Sequence, residues 1–334
     1  MRRYTLIGLC TLCIWLMAGE GGAQTVIRST GYDVLFRPNS GRTAALSEAG
    51  VGLIGSGQAI FYNPSGLAFM EGREAYLTYV DWISGSRNYV AGFAANVSGK
   101  GTFGLSAVNL DNNNENENEY AISGAYAFNI TRRIAAGATV EFVHHDYSNA
   151  GELYLEDGIF REYPDTTPKY VHNFFVFDVG AYSMGLQNLV MALSVHNLSA
   201  GGLGKPEVLE LPEIIRMGVL IDVVSLTGMR PLPHTLDLVL DVNTEINFDE
   251  AVELNMGMEY TYLYQAEGYS LGVSLRGGRR SRGSWSSANP ITWGGGLQFK
   301  TTGGRGVKVD YARRSFNYRI EDPRVHILSV AFNF

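Results

Sequence analysis

Few side chains in this 334-residue chain stand in a pattern that performs covalent chemistry. No HExxH helix or Walker loop occurs; the CxxC match, Cys10–Cys13, lies in the N-terminal apolar run, and the GxSxG match, Gly268–Gly272, opens a predicted strand rather than a strand-to-helix elbow. His144 and His145 are neighbours, and neighbours on a strand leave by opposite faces, so they make a poor metal pair. His196 and His326 stand alone on predicted strands and read as hydrogen-bonded wall residues. A lipid hydrolase or acyltransferase needs a serine or threonine beside a histidine, and no such pair is legible. Gly294-Gly295-Gly296 falls inside a strand, not at a strand-to-helix turn, so it cradles no phosphate. Glycine there lets the wall bend or lets another segment approach. The chain reads as a non-enzyme with no cofactor.

Binding is better represented than catalysis. Asp111–Glu119, DNNNENENE, is a run of side-chain oxygens without EF-hand spacing, and reads as a solvated loop. Arg276–Arg282, RGGRRSR, places Arg276, Arg279, Arg280 and Arg282 on or beside a predicted outer loop. Guanidinium groups there could hold lipopolysaccharide phosphates or an acidic partner in bidentate contacts, or simply balance an acidic protein. Asp237, Asp241, Glu259, Arg216 and Lys308 would line a lumen. They would form a conduit or pair with one another and with Arg42 and Glu48.

These residues need a frame, and the frame is β. From Glu74 to Phe334 the chain falls into about fourteen segments of roughly ten residues separated by turn signals. The hydrophobic period is two. In His234–Thr244, Leu236, Leu238, Leu240 and Val242 oppose Asp237 and Asp241. In Val252–Leu263, Leu254, Met256, Met258, Tyr260 and Tyr262 oppose Asn255, Gly257 and Glu259. Tyr79, Trp82, Tyr89, Tyr262, Tyr264 and Trp293 sit near strand ends, where interfacial aromatic girdles lie. Alternate connections are short (98–100, 130–133) and long (148–170, 200–211, 279–290), the asymmetry of an outer-membrane barrel. The expected fold is therefore all-β, an antiparallel transmembrane barrel of about 14 strands with an N-terminal plug in its lumen. The last strand, with Val330, Phe332 and Phe334 on one face, closes the sheet and resembles the signal read by the barrel-insertion machinery.

The plug is residues 24–73, and residues 74–334 form the barrel. Its centre, Ser40–Ala68, is apolar and small but has no clean period, and Gly50, Gly52, Gly55 and Gly57 interrupt it. Asn63-Pro64-Ser65-Gly66 is a turn. Asn63 accepts local backbone donors, Pro64 fixes φ, and Gly66 allows positive φ. Such a knot must satisfy its backbone inside something larger. Residues 1–23 read as a signal peptide, with Arg2 and Arg3 ahead of an apolar run and Gly21-Gly22-Ala23 at the cleavage site. Both cysteines, Cys10 and Cys13, lie in it, so the exported chain has neither disulfide nor cysteine-held metal. The formal charge of −7 argues against nucleic acid as a partner. The expected location is the bacterial outer membrane, among its lipid and lipopolysaccharide.

Two ends of the chain also resemble a known group. Ser40-Gly41-Arg42-Thr43-Ala44-Ala45-Leu46, Glu48-Ala49-Gly50 and Tyr62-Asn63-Pro64-Ser65-Gly66-Leu67-Ala68 resemble the N-terminal signature of the PorV/PorQ family, outer-membrane barrels of the FadL-like superfamily. Asp310-Tyr311-Ala312 and His326 to Phe334 resemble that family's last strands. The resemblance makes Arg42, Glu48, Asn63, Pro64, Gly66 and Leu67 the plug motif. It implies a fourteen-stranded barrel associated with type IX secretion, whose partners are secreted cargo with a C-terminal signal domain and other secretion components. The Asn-Pro-x-Gly-Leu element is shared with FadL-type transporters, so the alternative implied function is a channel for hydrophobic small molecules.

Overall fold

The computed structural model describes residues 32–82, 85–112, 117–147, 153–156, 159–162, 170–186, 189–199, 211, 213–226, 233–245, 252–282, 291–315 and 324–334. The expected signal peptide and the first residues of the plug lie outside them.

The strands are β1 (Arg73–Asp81), β2 (Arg87–Val97), β3 (Gly101–Asp111), β4 (Glu117–Asn129), β5 (Ile134–Tyr147), β6 (Leu153–Glu156), β7 (Ile159–Glu162) and β8 (Tyr170–Leu186). They continue as β9 (Leu189–Ser199), β10 (Ile214–Asp222), β11 (His234–Glu245), β12 (Glu253–Ala266), β13 (Tyr269–Arg282), β14 (Ile291–Thr301), β15 (Gly306–Ser315) and β16 (Arg324–Asn333). All but β6 and β7 close into one antiparallel barrel, with β1 paired to β16. That gives the 14 strands expected from the alternation. Closure leaves no sheet edge, which is what a strand-built membrane span requires.

The outer face carries the leucines and aromatics that alternation assigned to it. Leu77, Leu105, Leu275 and Leu297 are 57–64% exposed, on a surface that only lipid tails can cover. Tyr79, Tyr89, Tyr262, Tyr264 and Trp293 are also outward and exposed. Trp82 is a correction: it faces inward, packs beside Ala44 and Ala45, and lies under the Arg37 guanidinium at 5.1 Å. Its parity along β1, shared with the buried Tyr76 and Val80, explains this.

Three further expectations are corrected. The connection 148–170, expected as a long loop, contains the β6–β7 hairpin. The acidic run does not stay in solvent, because β4 begins at Glu117 and Glu119 is fully buried, accepting a hydrogen bond from Val34 N at 3.1 Å. The arginine-rich segment is strand, since β13 runs on to Arg282 and pairs with β12 along its whole length.

The end of the plug, the last strand's end and the short turns share one rim, the periplasmic one in outer-membrane barrels. Arg73 N donates to Phe334 O at 3.2 Å and Phe334 N to Arg73 O at 3.0 Å, which fastens the end of the plug to the end of the last strand. Val330, Phe332 and Phe334 lie on the lipid face of β16, with Phe334 52% exposed.

Candidate functional site: the plugged lumen

The plug winds down the lumen from Tyr32, at the long-loop rim, to Gly72 at the short-turn rim. It is a set of short turns rather than a helix, because its glycines and small residues allow tight reversals but no long apolar face. The helical turn Gly41–Ala45 packs on β13 to β16, and the 3-10 turn Pro64–Phe69 packs on β4, β5 and β8. The plug thus bridges opposite walls.

On one wall the Asn63 turn does the anchoring. Asn63 caps the 3-10 turn, with its Oδ1 accepting from Ser65 N at 3.1 Å and Ser65 Oγ at 2.6 Å, and Pro64 takes the first position, where its missing N–H costs nothing. Its Nδ2 donates outward to Val51 O at 3.2 Å and to Ala181 O of β8 at 3.3 Å. The wall makes room for this turn. Gly137 of β5 and Gly180 of β8 are direct cross-strand partners. A Cβ at Gly137 would meet the Pro64 carbonyl carbon at 2.5 Å, and one at Gly180 would meet Asn63 Oδ1 at 2.0 Å.

A second bare pair lies opposite. Gly257 of β12 faces Gly278 of β13, and a Cβ on Gly278 would meet the Leu46 carbonyl carbon at 2.5 Å. Gly294 is used in the same way, against Ala45, so the triple glycine does admit a neighbouring segment.

Below this pad lies a buried charge chain. Arg42 Nε and Nη2 donate to Glu259 Oε2 at 2.9 and 2.7 Å. Arg276 Nε donates to Glu259 Oε1 at 2.8 Å and Arg276 Nη1 to Asp310 Oδ1 at 2.7 Å, and Lys308 Nζ lies 3.2 Å from Asp310 Oδ2. Of the expected lumen charges, Glu259 and Lys308 therefore pair within the wall, and Glu259 with the plug as well. Arg276 belongs to this chain rather than to an outer loop. Alternation separates its neighbours: Arg280 points inward like Arg276, with Glu253 as its partner, while Arg279 has the opposite parity. The side chain of Arg282 lies outside the described residues.

Wall carboxylates also reach the plug backbone. Asp241 Oδ2 accepts from Val51 N at 2.9 Å, and Glu74 Oε1 accepts from Gly57 N at 2.7 Å. Glu48, in the plug, accepts from Tyr62 Oη at 3.0 Å. Burial pushes the Glu48 carboxyl up from its ordinary value, against the pull of Arg314, Arg280, the Tyr62 hydroxyl and Arg216.

One constellation escaped the sequence reading. Ser194 and His196, two apart on β9, share a face, and Ser194 Oγ lies 2.9 Å from His196 Nε2, while His196 Nδ1 lies 3.3 Å from Asp178 Oδ2. This has the connectivity of a catalytic triad. The three groups are no more than 5% exposed, and the Tyr62 carbonyl oxygen sits 3.0 Å from Ser194 Oγ and 2.9 Å from His196 Nε2. The site is filled by the plug backbone and acts as a clamp on it. The i, i+2 spacing was the signal that could have found it.

Apolar contact completes the plug. Ile60, Leu67, Ala68 and Met70 pack with Tyr182 and with wall alanines Ala94, Ala125, Ala127, Ala135 and Ala192, and Ile54, Phe61 and Phe69 join from the side. Small wall residues let the plug's larger side chains fill the space. Gly104 of β3 lies against this packing, since a Cβ there would meet Leu67 Cδ1 at 3.3 Å and Ile60 Cδ1 at 3.6 Å. On the lipid side of the same strands lies an apolar groove of about 530 Å³ around Gly124, lined by Phe103, Leu105, Tyr126, Val140 and Phe177.

No protein-family model matches the chain, and no curated protein sequence matches it. Solved structures do match in fold. The CymD monoaromatic hydrocarbon channel superposes with a TM-score of 0.58 at 9% identity, covering 87% of this chain and 96% of that one. The Ralstonia pickettii toluene transporter TbuX gives 0.55 at 10% identity, with 87% and 97% covered. A Pseudomonas aeruginosa FadL homologue gives 0.54 at 11% identity, again with 87% and 97% covered.

Proposed function

We propose that this plugged barrel, of the FadL-like outer-membrane type, passes small hydrophobic molecules across the outer membrane. The observation that carries the reading is the placement of the plug's apolar core, Ile60 and Leu67, directly behind a glycine- and alanine-built stretch of wall with an apolar groove on its lipid side. An apolar molecule that displaced part of the plug would meet apolar groups on both sides of that wall. Three barrels of the same fold are described as a hydrocarbon channel, a toluene transporter and a FadL homologue. The secretion reading rests on the motifs at the two chain ends alone.

The test is uptake of radiolabelled toluene and of laurate by proteoliposomes holding the full barrel. Uptake above that of empty vesicles is expected. Gly124→Trp, which fills the lipid-side groove without touching the plug, should slow it by on the order of tenfold, about 1.4 kcal/mol in the barrier. Equal uptake by barrel-containing and empty vesicles would sink the channel reading. Co-elution of secreted proteins from native membranes in that event would move the assignment to secretion.

A further inference from the structure

At the long-loop rim, between plug and wall, lies a cavity of about 90 Å³ that the passage of apolar molecules does not explain. Its lining is largely polar and comes from both bodies: Glu48 and Tyr62 from the plug, and Arg216, Asn243, Asn255 and Arg280 from β10 to β13. Arg37 and Glu253 complete its lining charges, and Arg37 brings its own carboxylate, since its Nη2 donates to Asp33 Oδ2 at 2.8 Å, which leaves Arg216 as the guanidinium without a carboxylate pair among the described residues.

One of the two lining carboxylates is already engaged. Glu253 accepts from Asn243 Nδ2 at 3.2 Å and Asn255 Nδ2 at 3.1 Å, and pairs with Arg280. The other is held at a cost. Ser47 and Glu48 adopt φ of 57° and 65°, a left-handed region that residues with a Cβ rarely enter. Strain of this kind gathers at functional sites. It delivers the Glu48 carboxyl into the mouth, with one oxygen on Tyr62 Oη and the other without a partner among the described residues.

Among the described residues, further buried polar atoms of the lining have no hydrogen-bond partner: Nε of Arg37 and Arg216, and Oδ1 of Asn243 and Asn255. Unpaired donors on guanidiniums suit an anion, and unpaired acceptors suit hydroxyl or ammonium protons. Size narrows the class. An apolar cavity of about 150 Å³ holds benzene, so this smaller one takes a group of only a few heavy atoms.

We propose that the mouth cavity is a binding site for a small organic carboxylate bearing an adjacent hydroxyl or ammonium group, of the size of lactate or glycine. The carboxylate lies against Arg216 and Arg37, and the neighbouring donor lies against Glu48 and the Asn243 and Asn255 oxygens. The ligand would then touch plug and wall together.

The detergent-solubilised full barrel is titrated calorimetrically with lactate and with glycine, and acetate and inorganic phosphate serve as controls. Lactate or glycine should saturate one site. Acetate, lacking the donor, should bind at least about tenfold more weakly, the loss expected for one hydrogen bond to a charged group. Arg216→Gln should abolish binding, and Glu48→Gln should erase the preference over acetate. Both variants are first checked for the heat-modifiable gel mobility of a folded barrel, and Asn243→Asp, which keeps volume but adds a negative charge, should weaken binding independently. Absence of saturable binding overturns the proposal, as does equal binding of phosphate or acetate, or unchanged affinity in folded Arg216→Gln. Toluene uptake is scored on the same preparation, so failure here is separable from failure of the channel reading.

Discussion

Gly180→Val unseats the plug and opens the lumen while leaving the barrel intact. Valine would place its Cβ 2.0 Å from Asn63 Oδ1, and neither partner can yield. Asn63 is fully buried and held by hydrogen bonds to Ser65, Val51 and Ala181, and Gly180 is fixed by its register with Gly137. Overpacking of this degree costs up to about 3 kcal/mol, and at about 1.4 kcal/mol per tenfold the ratio of docked to undocked plug falls roughly a hundredfold. Single-channel recording in planar bilayers should show a quiet wild type and frequent conducting events in the variant. Gly124→Ala is the control, because its Cβ would meet only Leu105 Cδ2 at 3.8 Å and Val140 Cγ1 at 4.0 Å on the lipid side. Indistinguishable conductance in Gly180→Val and wild type would mean that the Asn63 turn does not hold the plug.

Glu259→Leu is expected to be the most destabilising single change in the wall. Glu259 is 4% exposed and receives both Arg42 and Arg276. Leucine matches its bulk but leaves Arg42 without its carboxylate and Arg276 with Asp310 alone. Removing one partner of a buried pair typically costs about 3–5 kcal/mol, because a desolvated charge is left behind. Urea unfolding in detergent micelles should show a lower midpoint. Arg42→Met combined with Glu259→Leu should recover part of the loss, since these residues are in contact and their effects do not add. A midpoint at the wild-type value, or strict additivity, would show that the chain of charges carries no coupling.

The barrel was legible because its signal is local. Period-two alternation in segments such as His234–Thr244 needs no tertiary knowledge, and every barrel strand lies where that alternation placed it, within a few residues. The plug was legible as an aperiodic knot of small residues ending in Asn63-Pro64-Ser65-Gly66. Its seats were not. Gly137 and Gly180 are lone glycines on separate strands, and their meaning appears only when β5 and β8 pair across the β6–β7 hairpin. The segment Arg276–Arg282 read as lying on or beside an outer loop, yet Gly278 within it is the gap that Leu46 requires of the wall. Glu119 hid in a polar run whose last residues are drawn into the lumen by the Val34 amide. Ser194 and His196 were each visible, but their purpose depends on the carbonyl of Tyr62, which no periodicity reveals.

On the proposed channel reading, the plug fills the lumen and must move for an apolar molecule to pass. A disulfide tests it directly, because the only native cysteines, Cys10 and Cys13, lie in the expected signal peptide. A Cβ on Gly52 of the plug lies 3.3 Å from the Leu220 Cβ on β10, close to the disulfide range of about 3.5–4.5 Å. In proteoliposomes of the Gly52→Cys/Leu220→Cys variant, oxidation should abolish toluene uptake and reductant should restore it. Uptake at the same rate in the fully oxidised and reduced forms would contradict the account.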